Sequence, residues 1–217
     1  MIVSNKHPAI AKEGWLVIGI VAGLLFVSIF LSSALFALFG SFLVFLLYVY
    51  RDPARKIPSA PLGIVSPADG RIVSIARVEN KYTNAPSYRI AIKKNKMGVF
   101  AIRCPIEGKL HKQLQEKASG VYRYIDWVQT DEGDNILWDS EVRSPTIAHC
   151  YVQSGERIGH GQRCGFLLFN SHVNLCIPIN SSLNVKVHDT VRAGESIIAH
   201  LFHNQGASIV ASAQDVE

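Results

Sequence analysis

The sequence predicts a mainly β domain, a flattened barrel or sandwich carrying related hairpins, preceded by an N-terminal transmembrane α-hairpin. Three observations predict it. Positions 14–50 form a run of 37 residues without one charge, too long and too apolar for a soluble core helix. The rest of the chain alternates short β-branched stretches with Gly, Pro, Asp and Asn turns, the pattern of an all-β domain. Third, Val152, Ile158 and Gly161 recur at matching offsets as Val185, Val191 and Gly194, which marks a repeated unit. A chain that is 48% hydrophobic with a mean hydropathy of +0.18 is not a disordered one.

Residues 1–13 read as a cytoplasmic N-terminus. As one helix, 14–50 would run roughly 55 Å at about 1.5 Å per residue, nearly twice the roughly 30 Å of bilayer hydrocarbon. Two helices breaking near Ser32-Ser33 fit better. Lys6 and Lys12 precede the run and Arg51, Arg55 and Lys56 follow it, so both ends belong on the cytoplasmic side of the inner membrane. A cleaved signal would end in a small-residue site, whereas this run ends in Tyr48-Val49-Tyr50-Arg51, an interfacial anchor. The segment is therefore expected to stay.

Residues 51–217 carry 20 basic and 16 acidic side chains, enough chain for one domain with its own core. The small basic surplus suits an anionic leaflet and carries no nucleic-acid motif. Strands are expected over 63–75, 88–92, 98–102, 135–138, 146–152, 164–169, 173–177, 183–187 and 196–201. Only 109–117 has helix-forming composition, with an apolar face too thin to decide between helix and strand. Cys104, Cys150, Cys164 and Cys176 show no close pairing and read as reduced structural thiols rather than metal ligands.

The repeat implies two related hairpins, like those in the flattened barrels of biotinyl and lipoyl carriers. A carrier needs a modifiable lysine at a hairpin tip, and neither repeat has one. Three turns remain as places for chemistry: Ser66-Pro67-Ala68-Asp69-Gly70-Arg71, Phe169-Asn170-Ser171-His172, and the stretch Gly98-Val99-Phe100-Ala101-Ile102-Arg103-Cys104-Pro105. Taken singly, each reads as an ordinary turn or strand end.

Their order is more telling. An apolar hairpin, then Tyr50-Arg51-Asp52-Pro53-Ala54-Arg55-Lys56-Ile57-Pro58, then Ser66-Pro67-Ala68-Asp69-Gly70, then a late Phe169-Asn170-Ser171 before a strand, resembles the short form of phosphatidylserine decarboxylase over nearly the whole chain. The resemblance implies a proenzyme that cuts itself between Asn170 and Ser171. Ser171 would attack the Asn170 carbonyl and become a pyruvoyl group, the self-derived cofactor. That ketone condenses with the amine of phosphatidylserine and takes up electrons as the carboxylate leaves. Asp69 matches the acidic member of the processing machinery. The implied partners are a phosphatidylserine-like membrane phospholipid and the bilayer, with a homo-oligomer left open.

Three departures stand against the pattern. Asn170 replaces the family's glycine, a change asparagine tolerates best among side-chain-bearing residues. Phe100 falls where the family has a histidine, and Ile102 where it has an asparagine; phenylalanine moves no proton. The stretch 108–150 is short for the family. His172 is the nearest substitute in sequence, although strand neighbours at 172 and 173 would face opposite ways. His111, His149, His160 and His188 read as solvent-facing or satisfied, and Arg103 as a surface residue able to hold a phosphate. The alternative function is an uncleaved relative that binds lipid or regulates at the membrane.

Overall fold

The computed structural model describes residues 9–82, 84–95, 98–116, 122–142, 148–167 and 172–202. The apolar run folds as two helices, α1 (Trp15–Ser28) and α2 (Ser33–Val49), broken where the two serines stand. The Ser32 hydroxyl accepts from the Ala34 N–H at 3.3 Å and caps α2, as an N-cap serine does. The hairpin's feet lie side by side, with Ala11 N–H donating to the Tyr50 carbonyl at 2.7 Å and Asp52 N–H to that of Ala9 at 2.8 Å. At 14 and 17 residues the helices are about 21 and 26 Å long. Among the described residues no helix is long and apolar enough to cross a membrane.

Fourteen strands follow among the described residues: β1 (Gly63–Val65), β2 (Gly70–Asn80), β3 (Ala85–Lys94), β4 (Ala101–Arg103), β5 (Gly108–Glu116), β6 (Tyr122–Gln129), β7 (Asn135–Val142), β8 (Ala148–Cys150), β9 (Arg157–Ile158), β10 (Arg163–Leu167), β11 (His172–Pro178), β12 (Ser182–Leu183), β13 (Thr190–Val191) and β14 (Ile197–His200). The domain is mainly β, as expected. Where composition left helix and strand open, residues 108–116 form strand β5, paired along its length with β6. The expected strand 63–75 is two strands separated by the turn at 66–69.

The sheet orders are mirrored. The eight-stranded sheet runs β13-β2-β3-β11-β7-β6-β5-β9, and the two small sheets run β1-β14-β12 and β4-β10-β8. Each arrangement of β1, β2, β3, β11, β12, β13 and β14 is matched in the same order by β4 to β10. The domain is thus two seven-stranded units, the second inserted between the third and fourth strands of the first, meeting at the central β11–β7 pair. The bonds between them are reciprocal: Arg103 N–H donates to the Pro67 carbonyl and Val65 N–H to that of Pro105. Within each unit an equivalent bond recurs, Gly194 N–H to the Ser66 carbonyl in the first and Gly161 N–H to the Cys104 carbonyl in the second. The repeat seen at 152–161 and 185–194 is one edge of this duplication. Its members do not form two hairpins. Instead, β9 and β13 close opposite ends of the large sheet, Ile158 and Val191 plugging the core at 1% and 2% exposure.

One core runs between the layers, from Ile64 and Ile72 through Ile90, Ile92 and Leu175 to Leu110, Val128 and Trp138. A smaller cluster of Ala11, Val49, Phe100 and Phe166, with Tyr50 against it, joins the helical hairpin to the β domain.

Candidate functional site

The turn Pro67-Ala68-Asp69 is held from both sides. Ser66 donates its hydroxyl to the Ala68 carbonyl at 2.7 Å, and Gly70 lies so close to β3 that a Cβ there would stand 2.4 Å from the Lys93 carbonyl oxygen. This fixes Asp69. Its Oδ2 is 2.6 Å from the Arg55 guanidinium, and its Oδ1 accepts from the Ala193 N–H at 2.7 Å. Arg55 also reaches Glu195 at 3.6 Å, so the carboxylate is oriented by a buried arginine and a backbone amide.

Asp69 opens onto a cavity of about 740 Å³ with a basic lining: Arg51, Arg71, Lys93, Lys94, His188 and Arg192. Lys94 is the unusual member. On β3 the buried positions Ile90 and Ile92 lead by alternation to Lys94, which is 4% exposed at a place where the strand period calls for an apolar residue. Its Nζ has no hydrogen-bond partner and lies 5.6 Å from the centroid of the Phe100 ring. Burial pushes the amine down from 10.5 to about 8, and the nearby Asp69 charge pulls it part of the way back.

Phe100 is 1% exposed and packs edge-on against Phe166, which stacks on Tyr50. Arg103, expected on the surface, is buried at 3%, with Nη2 3.1 Å from Asp52 and Nη1 donating to the Gly161 carbonyl at 3.3 Å. Arg163 joins the same Asp52 at 3.3 Å and Glu13 at 3.3 Å. This ion-pair group ties the hairpin's foot to the β domain, and Arg103 is no free phosphate ligand.

Asn170 and Ser171 lie outside the described residues. The first residue after them, His172, stands in register with Lys93, and Lys93 with Arg71; β11 therefore begins two strands from the Asp69 turn. His172 is exposed and Val173 buried, as strand alternation requires. On the other side, Leu167 N–H donates to the Phe100 carbonyl. His188 lines the cavity from a left-handed turn residue, φ 80°, while His111 stacks on Trp127. His160 lies by Glu107 in a second cavity, with burial lowering its pKa. The side chains of His149 and Cys150 lie outside the described residues; Cys104, Cys164 and Cys176 are buried thiols, none of them in a disulfide. Sequence reasoning missed Arg55 and Lys94. The signal for Lys94 was a lysine in step with Tyr88, Ile90 and Ile92.

Comparison with known proteins gives one result. The family model described as Phosphatidylserine decarboxylase matches residues 42–113 and 105–199. The Phosphatidylserine decarboxylase proenzyme of Paraburkholderia xenovorans is 31% identical over 212 residues, covering 92% of this chain and 100% of that protein. That of Burkholderia ambifaria is 32% identical, covering 92% and 99%.

Proposed function

The chain belongs to the phosphatidylserine decarboxylase family, whose members are carboxy-lyases, and on that premise we propose that it is a self-processing, membrane-anchored decarboxylase converting phosphatidylserine to phosphatidylethanolamine. The observation that carries the reading is Asp69, oriented by Arg55 and the Ala193 amide at the mouth of a basic cavity. Arg51, Arg71, Lys93 and Arg192 give that cavity the charge to draw in an anionic headgroup, whose phosphate and carboxylate need cationic partners. Arg51 directly follows the hairpin and stacks over Tyr48, 4.1 Å from its centroid, which puts this wall of the cavity at the level of the hairpin's foot.

Ser171 is the residue from which a pyruvoyl group would form, and such a group supplies a ketone carbonyl as electron sink when CO₂ leaves. The lining fits it: a buried amine without a partner, Lys94 Nζ, beside a fixed carboxylate is a setting for moving protons near a carbonyl. Asp69 and Arg55 hold charge in place there, and the packed Phe100–Phe166–Tyr50 cluster keeps water from one side.

Membrane anchoring rests on the hairpin's surface. Trp15, Leu16, Phe26, Val44 and the tip residue Phe30, 77% exposed, show apolar side chains on every face. An apolar tip and short helices support a hairpin that dips into the bilayer from the cytoplasmic side and returns. A second reading, an uncleaved lipid-binding or regulatory relative, is favoured by Phe100 alone. Intact mass under denaturing conditions separates the two. The decarboxylase gives chains 1–170 and 171–217, the second blocked by pyruvoyl, and releases CO₂ from phosphatidylserine vesicles; one unmodified chain that releases none sinks it.

A further inference from the structure

The lining of the basic cavity is unbalanced in charge. Arg51, Arg71, Lys93, Lys94 and Arg192 are cationic, and among the described residues the one carboxylate on its wall, Asp69, is already engaged by Arg55 and the Ala193 amide. Four of the five cations are exposed, so an incoming anion gains little from each of them over the water it displaces. Lys94 differs: it is 4% exposed, and its amine has no hydrogen-bond partner. Its neighbours are the Phe100 ring, with a centroid 5.6 Å from Nζ, and Asp69, adjacent to its register partner Gly70. A dehydrated ammonium is unfavourable until something replaces the lost water, and an oxyanion replaces it with a charge-assisted hydrogen bond.

We propose that Lys94 is a specificity-determining residue, whose ammonium pairs with the carboxylate of a phosphoserine-type headgroup and so selects net-anionic headgroups over zwitterionic ones lacking that group. The inference rests on the reading that this cavity receives the headgroup. Lysine's four-carbon stem is flexible, so the amine can turn from the Phe100 ring to a carboxylate in the cavity. Arg51, directly after the hairpin, is left for the phosphate on the membrane side. A headgroup that has lost its carboxylate as CO₂ presents an ammonium to an ammonium. The residue that favours the substrate thus also helps the product leave.

The charged and titratable groups around the amine are Asp69 on the turn with Arg55 behind it, Arg71 on β2, Lys93 on β3, Arg51 from the hairpin's foot, and His188 and Arg192 beside β13. Only Asp69 favours the ammonium. Burial brings the amine down to about 8, with Asp69 pulling it part of the way back, and a bound carboxylate raises it again. Binding therefore takes up a proton: affinity is full below pH 8 and falls as pH rises through 8 toward the pKa of the bound form.

The test is calorimetric titration of the full-length chain in detergent micelles, treated with borohydride so that a pyruvoyl ketone cannot turn the probe over. The soluble probes are glycerophosphoserine, glycerophosphoethanolamine and inorganic phosphate. At pH 7 Lys94→Met is expected to lose roughly 10- to 100-fold in affinity for glycerophosphoserine, the range of one hydrogen bond to a charged group, and little for glycerophosphoethanolamine. His188 and the headgroup amine titrate as well, so the pH step is read as the difference between wild type and variant. A variant that keeps the wild-type preference overturns the proposal and leaves the decarboxylase reading intact. Inorganic phosphate bound as tightly as glycerophosphoserine does the same, because any oxyanion would then satisfy the amine. A wild type that prefers glycerophosphoserine yet stays one chain and releases no CO₂ supports the inference while overturning the decarboxylase. If the variant fails to fold, competitive acetylation of Lys94 in the wild type decides. Labelling slowed by glycerophosphoserine alone supports the assignment, and labelling slowed by both headgroups equally, or by neither, overturns it.

Discussion

The two seven-stranded units share a turn and use it differently. In the first, the Ser66 hydroxyl donates to the Ala68 carbonyl at 2.7 Å; in the second, the Cys104 thiol donates to that of Ile106 at 2.8 Å. An acid and a glycine follow in both, Asp69-Gly70 and Glu107-Gly108. Yet Asp69 meets a buried arginine and faces a basic cavity, whereas Glu107 pairs with Arg157, both 59% exposed, beside Asp131 and Glu132. One position before the turn the contrast reverses: Val65 is plain core, and its counterpart Arg103 holds the hairpin through Asp52. The repeated scaffold carries the basic cavity on one copy and the ion pairs to the hairpin's foot on the other.

The largest expected effect tests the first half of that contrast. Asp69→Asn keeps the shape and removes the charge, and self-processing should fall by at least about 100-fold, the scale of a lost proton-transfer or charge-stabilising group. Glu107→Gln, the same change on the sister turn, should process at the wild-type rate. Intact mass after a fixed interval reads both, and equal losses would break the comparison.

The hairpin break, the mainly β domain and the Asp69 turn were legible because each depends on local rules: a bilayer length limit, a period of two, an Asp-Gly signal. The duplication was read only at its 152–161 edge, although 64–72 and 102–110 share Ile64/Ile102, Pro67/Pro105 and Gly70/Gly108 at matching offsets; Val65 against Arg103 and Ser66 against Cys104 break the likeness in between. Arg103 and Lys94 were illegible for a different reason. A charged side chain is ordinarily a surface one, and only tertiary context shows that Asp52, 51 positions nearer the N-terminus, awaits Arg103 while no hydrogen-bond partner awaits the Lys94 amine. The strand 108–116 was ambiguous since Lys, Gln and Glu favour helices, and pairing with β6 overrode them.

The second prediction tests anchorage. Asp52→Asn leaves Arg103 and Arg163 buried around a neutral amide, and losing one partner of a buried ion pair costs about 3–5 kcal/mol. Denaturant unfolding should show that loss. Because Asp52 binds the hairpin's foot rather than the cavity, chains that do fold should still process.

The smallest effect sharpens the comparison inside the seam. Gly161 and Gly194 hold equivalent places, with φ of 66° and 72°, a region that costs a side-chain-bearing residue about 1–2 kcal/mol. Alanine at either should lose that much. What surrounds them differs. A Cβ at 161 would press on the Ile57 side chain from 2.9 Å, and one at 194 on Arg103 Cδ from 2.8 Å. Ile57 can turn aside, but Arg103 cannot withdraw without loosening its grip on Asp52. Gly194→Ala should therefore be the costlier of the two and should couple with Asp52→Asn in a double-mutant cycle. Residues acting through one shared partner are not additive. Additive losses would mean that Arg103 yields freely, and that the second unit holds the hairpin by its apolar contacts, Phe100 and Phe166 against Val49 and Tyr50, more than by charge.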